Sequence, residues 1–127
     1  HNPAAARCLA GTVRRCFPDK RLILIMGVFR DKEYEEIAKI MAPLAKSVHT
    51  VTLPDEVRSL SADALADTMR RFCGKEVPVT ASPGIMEAVA SALSEADSQD
   101  VILAFGSLSY LGRIKDAVSK ICETKAP

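Results

Sequence analysis

Five apolar residues in unbroken succession, Leu22 to Met26, followed at once by Gly27, limit what this chain can become more than any other stretch. A strand with one wet face alternates apolar and polar residues. A strand apolar at every position needs cover on both faces, as in a parallel sheet between helices. Glycine at its carboxyl end lets backbone or ligand approach closely. From about Lys32 to Met41, the spacing of Tyr34, Ile37, Ile40, Met41 and Leu44 predicts a helix with one apolar stripe. This is half of a βαβ unit, and Gly27 to Asp31 fall at the sheet edge where ligands gather in open α/β proteins.

The rest of the chain repeats the alternation. Before the strand, Ala4, Ala5, Ala6, Cys8, Leu9, Val13 and Phe17 mark an alanine-rich helix, with Asn2 as cap, Pro3 at the first position and Pro18-Asp19 as its end. A helix that opens a doubly wound domain normally follows a strand, so a strand is expected before His1. After Pro43, Ser47 to Leu53 reads as a β-branched strand closed by Pro54. Pro54 to Leu60 is a charged connection of the kind that often carries function. Ser61 then caps a helix burying Ala64, Leu65, Thr68, Met69 and Phe72, which Gly74 stops. Val77 to Thr80 predicts a short strand, and Ser82-Pro83 the start of a helix burying Ile85, Met86, Val89, Ala92 and Leu93. Val101 to Phe105 is an apolar strand ending in Gly106-Ser107, and Leu108, Leu111, Ile114, Val118 and Ile121 give the last helix its face. Four strands alternating with five helices make the class α/β, with a mainly parallel sheet.

Composition narrows function by exclusion. At 127 residues, 48% hydrophobic and 26% charged, the chain suits one domain with a sizeable core. The net charge is +1, the basic residues come singly or in pairs, and two tyrosines and four phenylalanines are the whole aromatic content, which argues against a nucleic-acid binder. No apolar stretch reaches the roughly 20 residues of a membrane span. No signal-peptide pattern opens the chain, so a cytoplasmic protein without membrane association is expected. Cys8, Cys16, Cys73 and Cys122 form no CxxC pair and read as reduced thiols on apolar helix faces. His1 and His49 have no acids at ligand spacing, so no metal site is expected within these residues. The chain opens on His rather than Met and reads as a fragment of something longer.

Candidate chemistry collects at the strand ends. Gly106-Ser107 sits where a strand hands over to a helix, so Ser107 either caps that helix or, with the free N–H groups, holds an anion. It lacks the G-x-S-x-G spacing of a nucleophile elbow, so catalysis by a serine is not expected. No GxxxxGK[ST] loop and no GxGxxG occurs, so the chain holds no recognisable phosphate cradle of its own. Asp31, Lys32 and Glu33 form either a solvated first turn or part of a ligand-facing loop. Arg58 is a loop cation on the same edge, and His1 stands at the lip of the first helix.

In series these pieces are more specific than any one alone. HNP before an alanine-rich helix, then LILIMGVFRDKEYEEIAKIMAPLAKSV, then VRSLSADALA, then VILAFGSLSYLGRI, resembles the C-terminal domain of bacterial folylpolyglutamate synthase/dihydrofolate synthase, of the Mur ligase superfamily, over nearly the whole chain. The resemblance implies a three-layer Rossmann-like domain of the Mur ligase C-terminal type, residues 1–127 forming one glutamate-ligase domain of a larger enzyme. The family opens on D-G-A-H-N-P, which implies a first strand and an aspartate upstream of His1. It implies an ADP-forming amide ligase that phosphorylates a pteroate or folate carboxylate and then joins L-glutamate to it. ATP and Mg2+ would be held mainly by an N-terminal P-loop domain of the same chain. Carried over by motif, His1 and Ser107 fall in the glutamate pocket, with Asn2, Asp31, Lys32 and Arg58 on the nucleotide side or in the cleft. The family's D-K-D stands here as Asp31-Lys32-Glu33 and its P-R-A-L as VRSL, while the usual aromatic near the G-S motif stands as Ser109, with Tyr110 next. A monomer is expected, and the isolated domain should be inactive. Two alternatives remain: the C-terminal domain of a muramyl-peptide ligase, although the D-N-P-R loop is replaced by Asp55-Glu56-Val57-Arg58, and a non-catalytic α/β binding module.

Overall fold

The computed structural model describes residues 2–55, 57–106 and 110–125. Helix α1 (Pro3–Cys16) leads into strand β1 (Arg21–Gly27), then α2 (Tyr34–Met41), a single 3-10 turn (Ala42–Leu44) and β2 (Ala45–Thr50). Helix α3 (Ala62–Phe72), β3 (Val79–Ala81), α4 (Ile85–Glu95), β4 (Asp100–Gly106) and α5 (Leu111–Lys125) complete the order. The four strands form one sheet in the order β3-β2-β1-β4, parallel at every pairing. The α/β class with its parallel sheet is therefore as the sequence implies.

The unbroken apolar run explains the layering. Leu22, Leu24 and Met26 point into a core shared with Ala6, Ala10 and Val13 of α1, Ile37 and Met41 of α2, and Leu65 and Met69 of α3. Ile23 and Ile25 point the other way, into a second core with Ala88, Val89 and Ala92 of α4 and Tyr110, Ile114 and Ala117 of α5. A period of two thus serves both faces, and each large apolar side chain so buried contributes about 1.5–3 kcal/mol.

Local signals set several boundaries. Asn2 Oδ1 accepts from the Ala5 N–H at 2.8 Å with Pro3 at the first position of α1, and Ser61 Oγ accepts from Ala64 N–H at 3.1 Å to open α3. Elsewhere pairing over distance overrides them. Ser82 is no helix cap: its N–H donates to Thr50 O at 2.9 Å, continuing the β2–β3 ladder, so α4 begins only after Gly84. β3 thus begins two residues later and ends one residue later than the periodicity suggests. β2 starts at Ala45, as soon as the turn at Pro43 ends, and is finished by Thr50. Gly74 does not take a left-handed conformation; α3 ends at Phe72, with Cys73 extended. Phe17 (42% exposed) and Met86 (39% exposed) lie outside the cores they were expected to join, and Ala88 is buried on the inner face of α4. The four cysteines are free, but Cys8, Cys16 and Cys122 are exposed rather than buried.

A polar clasp closes the amino edge. Glu95, the last residue of α4, accepts from Ser47 Oγ at 2.5 Å and lies 2.9 Å from His49 Nε2, both on β2. Buried Asp100 pairs with Lys46 at 2.8 Å and with Arg21 at 3.1 Å. Partial burial opposes the Glu95 charge, yet hydrogen bonds from Ser47 and His49 outweigh it and hold the carboxyl below its usual range. The Lys46 hydrogen bond does the same for Asp100. A carboxyl depressed on folding stabilises above its ordinary value and loses that contribution as protons fill the folded state. Folding stability should therefore fall as pH drops below about 4.5, the ordinary value for Glu95, and Glu95→Gln should flatten that decline. Denaturant unfolding of both proteins across pH 3 to 7 checks this; parallel pH profiles would contradict it.

Candidate functional site at the carboxyl edge of the sheet

Gly27 and Gly106 lie opposite each other where β1 and β4 end. Gly106 has φ of 127°, and a Cβ built there would stand 1.9 Å from the Gly27 carbonyl oxygen. A Cβ on Gly27 would come within 2.8 Å of Leu53 Cδ2 and 3.0 Å of Val51 Cγ2. Two glycines are thus required for the strands to end in contact, and they leave backbone facing the sheet edge. Beside them lies an apolar cavity of about 160 Å³, between the first turns of α1 and the ends of β1 and β4, lined by Asn2, Ala5, Val28, Ile37, Phe105 and Gly106. A wider groove of about 590 Å³ lies on the other face, between Thr52–Pro54, the start of α4 and α5. None of the candidate residues among those described lines it. The Glu87 carboxylate already folds back toward Gly84 at the start of α4.

Two connections meet at the end of β1. Phe29 forms an antiparallel bridge with Ser59, the Arg30 N–H donates to Arg58 O at 2.9 Å, and the Leu60 N–H donates to Val28 O at 3.0 Å. Ser59, buried, accepts from the Leu53 N–H and donates to Leu60 O, each at 2.8 Å. The charged stretch from Pro54 to Leu60 is therefore stitched to the β1–α2 connection. Arg58 lies over the Phe29 ring with 4.3 Å to its centroid, and its backbone N–H donates to Asp55 Oδ1 at 3.3 Å. The Arg30 guanidinium donates from Nε and Nη2 to Ser59 O, 3.3 Å each.

Of the candidates drawn from the sequence, Asn2 caps α1 and also lines the small cavity. Arg58 stands on the same edge, while Asp31, exposed, and Lys32, half-buried, follow Arg30 in the turn before α2. His1 and Ser107 lie outside the described residues, as does Ser109. Tyr110, read from the sequence only as a neighbour of the family aromatic, is fully buried; its hydroxyl donates to Phe105 O, with Ile25 O 3.3 Å away. Burial pushes its phenol upward, so it stays a neutral donor. Arg30, Phe29 and Ser59 escaped the sequence reading. The one local sign of them was the Phe-Arg pair just past the strand-ending glycine. Among the described residues no group of three or more His, Cys, Asp or Glu is placed to share a metal ion.

Residues 1–108 match the family model described as Mur ligase, glutamate ligase domain. This chain belongs to the Mur ligase glutamate-ligase-domain family. The chain is also similar to folate ligases. The domain is 29% identical over 109 residues to the dihydrofolate synthase/folylpolyglutamate synthase of Haemophilus influenzae, a match covering 84% of this chain and 24% of that protein. The Mycobacterium tuberculosis folylpolyglutamate synthase complexed with ADP and AMPPCP superposes at a TM-score of 0.72 with 27% identity, over 100% of this chain and 29% of that one. E. coli FolC in complex with ADP gives a TM-score of 0.83 over 97% of this chain and 28% of that one; at 18% identity this speaks to the fold. The domain thus spans about a quarter of the length of these relatives.

Proposed function

We propose that this domain is the glutamate-ligase part of an enzyme that joins L-glutamate to dihydropteroate or a folate, with ATP converted to ADP and phosphate. The acceptor carboxylate would attack the γ-phosphorus of ATP, releasing ADP and leaving an acyl phosphate. The glutamate amine would then attack the acyl carbon, phosphate would depart, and the nitrogen would lose a proton to give the amide. ATP and Mg2+ belong mainly to a P-loop domain elsewhere in the full-length protein; the role of this domain is to hold and orient. Bringing amine and acyl carbon together lowers the barrier chiefly by fixing their geometry.

The observation that carries this reading is the family match over residues 1–108 together with the glycine-edged crevice at the ends of β1 and β4. At that edge Asn2 lines the small cavity and Arg58 O is bonded to Arg30, next to Asp31 and Lys32; His1 and Ser107 enter by their motif positions alone. His1 and Ser107 are the glutamate contacts in this reading: a hydroxyl at a helix start suits a carboxylate, and an imidazole its other polar groups. Asn2 and the loop residues border the cleft.

The test uses the full-length protein with ATP, glutamate and either dihydropteroate or a reduced folate, following ADP release. Ser107→Ala should raise the KM for glutamate roughly tenfold or more, the scale of losing a hydrogen bond to a charged group, and leave the KM for the acceptor unchanged. A Ser107→Ala enzyme with an unchanged glutamate KM would overturn the assignment of the pocket. The isolated domain should release no ADP.

A further inference from the structure

Where a parallel ladder ends, backbone groups that have run out of strand partners turn to water or to a side chain. At the carboxyl ends of β1 and β4 a side chain is in place. Tyr110, immediately before α5, is fully buried, and its ring belongs to the core that α4 and α5 share with Ile23 and Ile25 of β1. Its hydroxyl reaches past that core to the strand ends. It donates to Phe105 O on β4, lies 3.3 Å from Ile25 O on β1, and takes a bond from the backbone of Gly27. One buried phenol therefore meets both strands within two residues of the facing pair Gly27 and Gly106. For filling the core a phenylalanine ring would serve as well, and a hydroxyl is costly to bury unless it is paired. Each partner of this hydroxyl is backbone, so what it fixes is the spacing of the two main chains. Gly27 and Gly106 have no side chains of their own to set that spacing. In the family pattern the aromatic falls at the position of Ser109; here it falls one residue later.

We propose that Tyr110 is a positioning residue: its hydroxyl latches the ends of β1 and β4 together and so sets the backbone spacing on which glutamate binding depends. The choice of glutamate rests on the ligase reading above, which assigns its carboxylate to Ser107, two residues beyond Phe105 in the chain. ATP belongs mainly to another domain in that reading, so the latch acts on glutamate and not on the nucleotide. Without the hydroxyl, Phe105 O and the Gly27 backbone lose a buried partner, and the strand ends gain freedom to part. Part of the ligand's binding free energy is then consumed in fixing them.

Two measurements on the full-length protein test this. Amide hydrogen exchange reads the latch without any reaction. Tyr110→Phe should speed exchange at Gly27 about fivefold, the scale of one neutral hydrogen bond, while Leu24 in the middle of the same strand keeps its wild-type rate. Unchanged exchange at Gly27 in a folded variant would overturn the latch. Steady-state kinetics with ATP, glutamate and either dihydropteroate or a reduced folate then reads its effect on the ligand. Tyr110→Phe should raise the KM for glutamate about fivefold, with kcat changed less and the KM values for ATP and the acceptor unchanged. Ile114→Val removes a methylene from the same core on α5, at a stability loss of the same order, and should leave all three KM values unchanged. A glutamate KM raised equally by both variants would reduce Tyr110 to packing and overturn the positioning role, as would an unmoved glutamate KM in an active Tyr110→Phe enzyme. Faster exchange at Gly27 in a protein that glutamylates neither acceptor would overturn the ligase reading, and with it the choice of glutamate, while keeping the latch.

Discussion

Gly106→Ala should destabilise the fold by about 3 kcal/mol or more, the upper end for a side chain forced into a sparsely populated backbone region. At φ of 127° alanine is strained whatever the space around it, and its Cβ would meet the Gly27 carbonyl oxygen at 1.9 Å. Relief would require β1 and β4 to separate at their carboxyl ends. β1 cannot move freely, because it is paired on both sides and buried on both faces. Set against a typical domain stability of roughly 5–15 kcal/mol, such a loss is large. Urea unfolding of the two proteins measures it; a change within about 0.5 kcal/mol, the range of ordinary surface substitutions, would mean that the glycine pair is dispensable. Gly27→Ala should be milder, since the first atoms its Cβ meets are the ends of the Leu53 and Val51 side chains.

The second large effect is expected at Tyr110. Fully buried against α4 and the inner face of β1, its ring fills space that alanine would leave empty. By analogy with other large aromatic truncations, Tyr110→Ala should cost about 3–5 kcal/mol. Tyr110→Phe keeps the ring and removes only the donor to the Phe105 carbonyl, so about 1 kcal/mol is expected. Comparing denaturation midpoints of the two variants separates packing from tethering: equal losses would assign the whole effect to the hydroxyl.

What the sequence made visible was local or periodic. Leu22 to Met26 declared a strand covered on both faces, and the alternation of its side chains between two cores follows from the pleat alone. Asn2, Pro3 and Ser61 revealed their helix starts because a cap bonds only a few residues ahead. What stayed hidden depended on partners far along the chain. Ser82 resembles a cap until Thr50 claims its N–H across the sheet. Arg30 and Arg58 are 28 positions apart in sequence, and nothing in either stretch announces the bridge from Phe29 to Ser59 that opposes them. Tyr110 was missed for a related reason: its hydroxyl reaches backbone on two strands, a bond that no helical spacing encodes. The candidate site was therefore legible as an edge, through Gly27 and Gly106, and not as a geometry.

The most direct test of the central reading is the product itself. Incubated with ATP, L-glutamate and either dihydropteroate or a reduced folate, the full-length protein should yield an acceptor heavier by one glutamyl residue for each ADP released, as read by mass spectrometry and nucleotide chromatography. No glutamylated product from either acceptor, or glutamate added instead to a muramyl peptide, would contradict it.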